Sequence, residues 1–273
     1  LRWWAKAMAA VIGFLGAGNM GAAIIKGLAA VPDVSAVAYD VDAAKVAALA
    51  GEKLAKAAAT PEDLAAASDY LVLCVKPQYL AAAMAELAPH LGPETVIVSI
   101  VAGVTMAKLR ELAGGKCPVV RVMPNTPALV GAGQFALCLD DPALDAGQKD
   151  FVARLFAALG RTYVLEEKFF DAFTGLAGSG PAYVLHFMEA LIESGVLMGF
   201  ARDKSTDIVL GLFEGTAKLA VETGLHPSVL REMVTSPAGT TIEALMHLDR
   251  KAVRAAIIDA AVASKDRSTA LGA

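Results

Sequence analysis

The sequence predicts an α/β chain: a Rossmann-like, doubly wound and mostly parallel sheet, followed by an all-helical domain. Three observations carry this. Short apolar runs alternate with helical patterns from residue 10 to about residue 165. A glycine-rich turn, GAGNMG, joins the first run to the first helix. Past residue 165 the strand patterns stop and every segment reads with helical period. The domain boundary is therefore expected at 165/166, giving one domain over 8–165 and a second over 166–273.

AVIGFL (10–15) is a continuous apolar run, as a strand buried on both faces should be. GAGNMG follows, then the helix AAIIKGLAA. VSAVAYD (34–40) is a second strand, with VDAAKVAALA as its helix. DYLVLCVKP (69–77) is a third strand, closed by proline, and AAAMAELAPHL is a helix. TVIVSIVAG (95–103) is a fourth strand. PVVRVMPNTP and GQFALCL supply two more across a Pro- and Gly-rich loop. AGQKDFVARLFAALG is a helix, and RTYVL (161–165) is the last strand. Beyond it, EEKFFDAFTGLAG, PAYVLHFMEALIESGVLMG, DKSTDIVLGLFEGTAKLAVETG and TTIEALMHLDRKAVRAAIIDAAVAS all read as helix. A helical unit of this size buries little apolar surface alone, so packing against a second copy is expected.

Composition narrows the function classes. The 273-residue chain carries a formal net charge of −4 and no run of Lys or Arg, so no nucleic-acid partner is expected. Cys74, Cys117 and Cys138 lie far apart, with no zinc spacing; reduced thiols in a cytoplasmic protein are expected. Nineteen uncharged residues separate Lys6 from Lys26, but four glycines and an asparagine among them argue against a membrane span. LRWWAKA (1–7) reads as a leader or expression remnant. His186, Glu189 and Glu193 share a helix face and read as a polar stripe, so no metal is assigned. His90, His226 and His247 are isolated.

Gly16, Gly18 and Gly21 form G-x-G-x-x-G between a buried strand and a helix, the context that makes the motif a dinucleotide signature. Gly16 allows the tight turn, Gly18 the approach of pyrophosphate, and Gly21 the packing of helix on strand. The helix start offers N–H groups to phosphate, with Asn19 and Met20 at the tip. Asp40 ends the second strand, where a carboxylate can take the adenosine ribose hydroxyls or simply cap a helix. It also repels a 2′-phosphate, and neither Val41 nor Asp42 offsets that, although Lys45 is within reach. NADH or NADPH is expected, with a lean to NADH. Val75, Lys76 and Pro77 leave the third strand at the carboxyl rim where ligands bind, and Ala102 and Gly103 leave the fourth with room for a nicotinamide.

IGFLGAGNMG, CVKPQ, VVRVMPNTPALVGAG, GLAGSGPAYV and HPSVLREMVTSPAGTTIEAL together, in this order, resemble the pyrroline-5-carboxylate reductase family. The resemblance covers the chain after Met8. It implies reduction of the C=N bond of 1-pyrroline-5-carboxylate by NAD(P)H to give L-proline, the last step of proline biosynthesis. It implies a homodimer or larger homo-oligomer built through the helical domain. It places Thr241 at the ring nitrogen as the catalytic residue, and makes Ser236 through Thr240, with Ala238 and Gly239, the carboxylate loop. It sets Pro181 beside the nicotinamide and offers Glu222 as a further polar group near substrate. An iminium carries its own proton, so hydroxyls and N–H groups at a helix start suffice without a strong acid. TTIE also fits a capping box, with Thr240 as N-cap and Glu243 as its partner, leaving Thr241 free. The chain departs from the family at Gly21, often Ala, and at Ala238, often Gly.

Two other classes share parts of this pattern. A β-hydroxyacid dehydrogenase would carry a lysine where Val184 stands in the frame that starts at Gly175, and alcohol oxidation needs a group to take the proton. A non-catalytic nucleotide-binding relative would have no use for the hydroxyls of Ser236, Thr240 and Thr241.

Overall fold

The computed structural model describes residues 10–29 and 31–272; the expectation for residues 1–7 lies outside them. The chain separates into two compact units, Leu1–Gly178 together with Ser264–Ala273, and Ser179–Ala263.

The first unit is built on an eight-stranded sheet. In chain order its elements are β1 (Ala10–Leu15), α1 (Asn19–Leu28), β2 (Val34–Tyr39), α2 (Ala43–Gly51), β3 (Lys56–Ala57), α3 (Pro61–Ala67), β4 (Tyr70–Leu73) and α4 (Pro77–Leu87). There follow β5 (Val96–Ser99), α5 (Met106–Leu112), β6 (Val119–Met123), β7 (Gly133–Cys138), α6 (Ala146–Ala157), β8 (Gly160–Val164) and the single turn α7 (Phe170–Phe173). The strand order is β3-β2-β1-β4-β5-β6-β7-β8, with only the β6–β7 pair antiparallel. The order reverses between β1 and β4, and the crevice at the carboxyl ends of those strands is where such sheets bind ligands.

The apolar runs are continuous because alternate residues feed opposite layers. Ile12, Phe14, Val72, Val98 and Val122 face one core, with Ile24, Leu28 and Phe156 from the helices. Leu15, Leu71, Leu73 and Ile97 face the other, with Leu64, Met84 and Leu109. Each such side chain contributes roughly 1.5–3 kcal/mol by leaving water. Phe170, beyond the expected boundary, is fully buried in the second of these layers. The segment up to Gly178 thus packs as part of the sheet unit, although its local pattern is helical.

The second unit begins with α8 (Gly180–Leu197), followed by α9 (Arg202–Thr223), α10 (Pro227–Met233), α11 (Thr240–Arg250) and α12 (Val253–Leu271), which runs on into the first unit. α8 and α9 approach closely at Gly195, where a Cβ would strike the Ser205 hydroxyl; Ser205 Oγ donates to the Ile192 carbonyl at 2.8 Å. The expected single helix from Thr240 onward is broken after Arg250, at Ala252 (φ 53°). Few apolar residues of this unit are covered: Leu197 is 88% exposed and Met198 71%.

Candidate active site

The glycine-rich turn is shaped by its neighbours. Gly16 has φ 102°, and a Cβ there would stand 3.0 Å from the Cys74 carbonyl. A Cβ at Gly21 would come 2.5 Å from the Gly16 oxygen, so α1 closes this tightly on β1 because residue 21 is glycine, and any side chain there would make the turn shift. Gly18 faces open space and caps α1 without a side chain, which leaves the N–H groups of Asn19, Met20 and Gly21 for a ligand. A pyrophosphate fits this cradle.

Asp40 follows β2 and is nearly buried, its side chain 10% exposed. Its Oδ2 accepts the Ala17 N–H at 2.7 Å and its Oδ1 the Asp42 N–H at 2.9 Å. The N-cap of α2 is Asp42, not Asp40. Lys45 Nζ lies 3.8 Å from Asp40 and 3.4 Å from Asp42, so its charge is shared between two carboxylates. Val75 places its backbone N 3.2 Å from where a Cβ of Gly16 would sit. Lys76 is the exposed N-cap residue of α4, and Pro77 starts that helix. Ala102 and Gly103 form the turn after β5, with Gly103 at φ 77°. Cys74 lies half-buried against the turn, and desolvation pushes its thiol above the ordinary range.

In the helical unit, Ser236, Ala238, Gly239, Thr240 and Thr241 form one turn opening α11. The expected capping box is absent. The N-cap is Gly239, with no side-chain bond, and Thr240 is the first helical residue. The reason lies in the backbone. Ala238 turns the chain at φ 55°, and the Gly239 N–H closes on the Ser236 carbonyl at 3.2 Å, so the helix starts one residue earlier. The first-turn N–H groups of α11 are consequently free of side-chain caps, and Thr241 is half-buried. Pro181 stands in the first turn of α8. Glu222 is exposed at the end of α9 and lies 3.8 Å from Lys218 one turn back, as a solvated helix-end carboxylate does. Glu193 pairs with Arg202 at 2.6 Å, which lowers its carboxyl below the ordinary range. Among the described residues no His, Cys, Asp and Glu group is arranged to hold a metal.

Sequence reading missed Asn125, in MPNTP. It is buried, donates to the Ala177 carbonyl at 3.0 Å and accepts the Gln134 N–H at 2.9 Å. It also missed the buried Arg121, which meets Glu167 at 3.1 Å. A charged residue inside the apolar run PVVRVM was the available signal.

The fold and the two turns define the class: a dinucleotide-binding sheet unit with a helical unit after it. Comparison with known proteins is specific. The family profile "Pyrroline-5-carboxylate reductase dimerisation" matches residues 167–271, and "NADP oxidoreductase coenzyme F420-dependent" matches residues 11–103. The pyrroline-5-carboxylate reductase of Escherichia coli K12 is 37% identical over 263 residues, covering 95% of this chain and 97% of that protein. That of Pseudomonas aeruginosa is 38% identical over 263 residues, covering 95% and 96%. The crystal structure of Plasmodium falciparum pyrroline carboxylate reductase with NADP bound superposes with a TM-score of 0.89 at 29% identity, covering 97% of this chain and 99% of that one. The chain belongs to the pyrroline-5-carboxylate reductase family, and is an NAD(P)H-dependent oxidoreductase acting on an imine.

Proposed function

We propose that the Ser236–Thr241 turn is the substrate site, and Thr241 the catalytic residue, of the reduction of 1-pyrroline-5-carboxylate to L-proline that this chain carries out. The observation that carries the assignment is the opening of α11. A glycine cap, a left-handed residue at Ala238 and side-chain-free N–H groups make an anion cradle, with a half-buried hydroxyl one residue on. The substrate carboxylate sits on those N–H groups, favoured by the helix dipole. The Thr241 hydroxyl holds the ring nitrogen, donating to the imine and accepting from the iminium N–H. The cofactor supplies hydride to the ring carbon. No acid is needed beside the nitrogen, because the iminium already carries the proton that proline keeps. Ser236 and Thr240 complete the polar wall, and Glu222 is the further polar candidate near substrate.

Gly16, Gly18, Asn19, Met20 and Gly21 hold the pyrophosphate, Asp40 the adenosine ribose, and Val75, Lys76 and Pro77 the rim. Ala102 and Gly103 face the nicotinamide end. NADH is the preferred cofactor: a carboxylate stands where a 2′-phosphate would go, and Lys45 is already shared by Asp40 and Asp42. The helical unit forms a homodimer at least. Its exposed Leu185, Leu197, Met198, Val221 and Met233 are too apolar to face water in the working protein. The cytoplasm is its compartment, in keeping with three unpaired cysteines. Among the described residues no helix is long and apolar enough to cross a membrane.

The experiment is to mix the purified protein with NADH or NADPH and 1-pyrroline-5-carboxylate, and to measure cofactor oxidation and proline together. The expected result is one proline per cofactor oxidised. Oxidation without proline, or none, overturns the assignment.

A further inference from the structure

The two segments that flank Ser179–Ala263 meet around one loop of the sheet unit, residues 100–105 between β5 and α5, which carries Ala102 and Gly103. Past the loop, the Met106 N–H donates to Glu167 Oε1 at 2.6 Å, and the same oxygen accepts from Arg121 Nη1 at 3.1 Å. At the loop itself, Gly103 lies against the end of α12. A Cβ at Gly103 would stand 3.3 Å from Leu271, and a Cβ at Gly272 would strike the Gly103 carbonyl oxygen. The last turns of α12 are held by Asp171. Ser268 Oγ donates to its Oδ1 at 2.7 Å and Thr269 Oγ1 to its Oδ2 at 3.0 Å. Arg121 joins the two halves, its Nη2 4.0 Å from Asp171 and its guanidinium 4.8 Å from the centre of the Phe170 ring.

A buried arginine facing two carboxylates is a poor filler, since desolvating the charges offsets much of their attraction. Charge-assisted bonds do fix direction. Here the fixed groups are the backbone at Met106 and the helix end at Gly103, one on each side of the same short loop.

We propose that Glu167 and Asp171, joined through Arg121, are positioning residues for the Ala102–Gly103 rim, and that the Leu271–Gly272 turn is the surface against which that rim is set for the nicotinamide end of the cofactor. This rests on the reading that Ala102 and Gly103 line the cofactor site. None of the network residues touches the reacting atoms; each acts through the loop.

The test combines fluorescence titration of NADH and NADPH with separate KM values for cofactor and imine. Gly272→Ala pushes directly on the Gly103 carbonyl and leaves the ion-pair network intact. Asp171→Ala releases the helix end, Thr269→Val removes one donor at constant shape, and Thr269→Ser retains it. Misplacing a positioning element costs up to about a hundredfold. Gly272→Ala and Asp171→Ala are therefore expected to weaken cofactor binding by roughly tenfold, with the imine KM within about twofold. Thr269→Val should do so partially, and Thr269→Ser should match the parent. Should Asp171→Ala fail to fold, Gly272→Ala and the Thr269 pair decide the matter. Parental cofactor affinity in Gly272→Ala, or equal changes in both KM values, overturns the proposal. If the parent binds NAD(P)H without reducing the imine, the reaction assignment fails, while the affinities still decide this one.

Discussion

The carboxylate of Asp40 holds the backbone of Ala17, accepting its N–H at 2.7 Å across the β1–α1 turn. One side chain thus ties the glycine-rich turn to the end of β2 and, on the proposed cofactor placement, also sets the charge met by the adenosine ribose. Asp40→Ser is expected to narrow the preference for NADH over NADPH by removing that charge. It should also weaken both cofactors, because the turn loses its tie. Asp40→Asn, which keeps an acceptor for Ala17, should narrow the preference with less loss of affinity. The check is kcat/KM for each cofactor with each variant; a parent that prefers NADPH contradicts the charge argument.

Ala238 is in the left-handed region, which costs a non-glycine residue about 1–2 kcal/mol. Glycine there raises the entropy of the unfolded chain, worth about 0.4–1 kcal/mol in the other direction. Ala238→Gly should therefore leave Tm unchanged or raise it, a net gain of roughly 0–1.6 kcal/mol. Thr240→Ala should change Tm little, because Gly239 and not Thr240 caps α11. Thermal unfolding of the two variants checks both; a Thr240→Ala loss near the ~1 kcal/mol typical of a missing cap would restore the capping box.

Much of this was legible in the sequence, and the misses have physical causes. β1, the glycine turn and α1 were readable because a two-sided buried strand and fixed glycine spacing leave little choice. The two-residue β3 and the seven-residue α3 and α5 were not, since so few residues carry no clear period. At α11, serine, threonine and glycine all suit a cap, and the turn at Ala238 decided between them. The Arg121 cluster joins residues as far apart as 121 and 268, a relation that only the folded chain expresses. For the same reason the helical pattern starting at 166 gave no warning that Phe170 is buried with the sheet.

Asp141 is buried, its Oδ2 accepting from Arg110 Nε at 2.9 Å and the Val119 N–H at 3.0 Å, its Oδ1 from the Ala143 N–H at 2.9 Å. Burial raises its pKa, but the two N–H groups and Arg110 outweigh that and bring it below the ordinary 3.8. A depressed carboxyl stabilises the fold above its unfolded pKa and ceases to as pH falls through the folded one. Stability should therefore drop on acidification below that ordinary value. Asp141→Asn should cost about 1.5–3 kcal/mol near neutrality and flatten the acid limb. Urea unfolding against pH is the check; an unchanged acid limb in Asp141→Asn contradicts the account.

If the Thr241 hydroxyl holds the reacting nitrogen, as proposed, steady-state kinetics of Thr241→Ala beside Thr241→Ser will show it. A hydrogen bond to a charged group is worth about 1.5–3 kcal/mol, so Thr241→Ala should lose roughly ten- to a hundredfold in kcat/KM for the imine. Cofactor affinity and Tm should stay near the parent's, and Thr241→Ser should keep most of the activity. If Thr241→Ala turns over 1-pyrroline-5-carboxylate like the parent, the hydroxyl is not in the chemistry and the turn serves the helix alone.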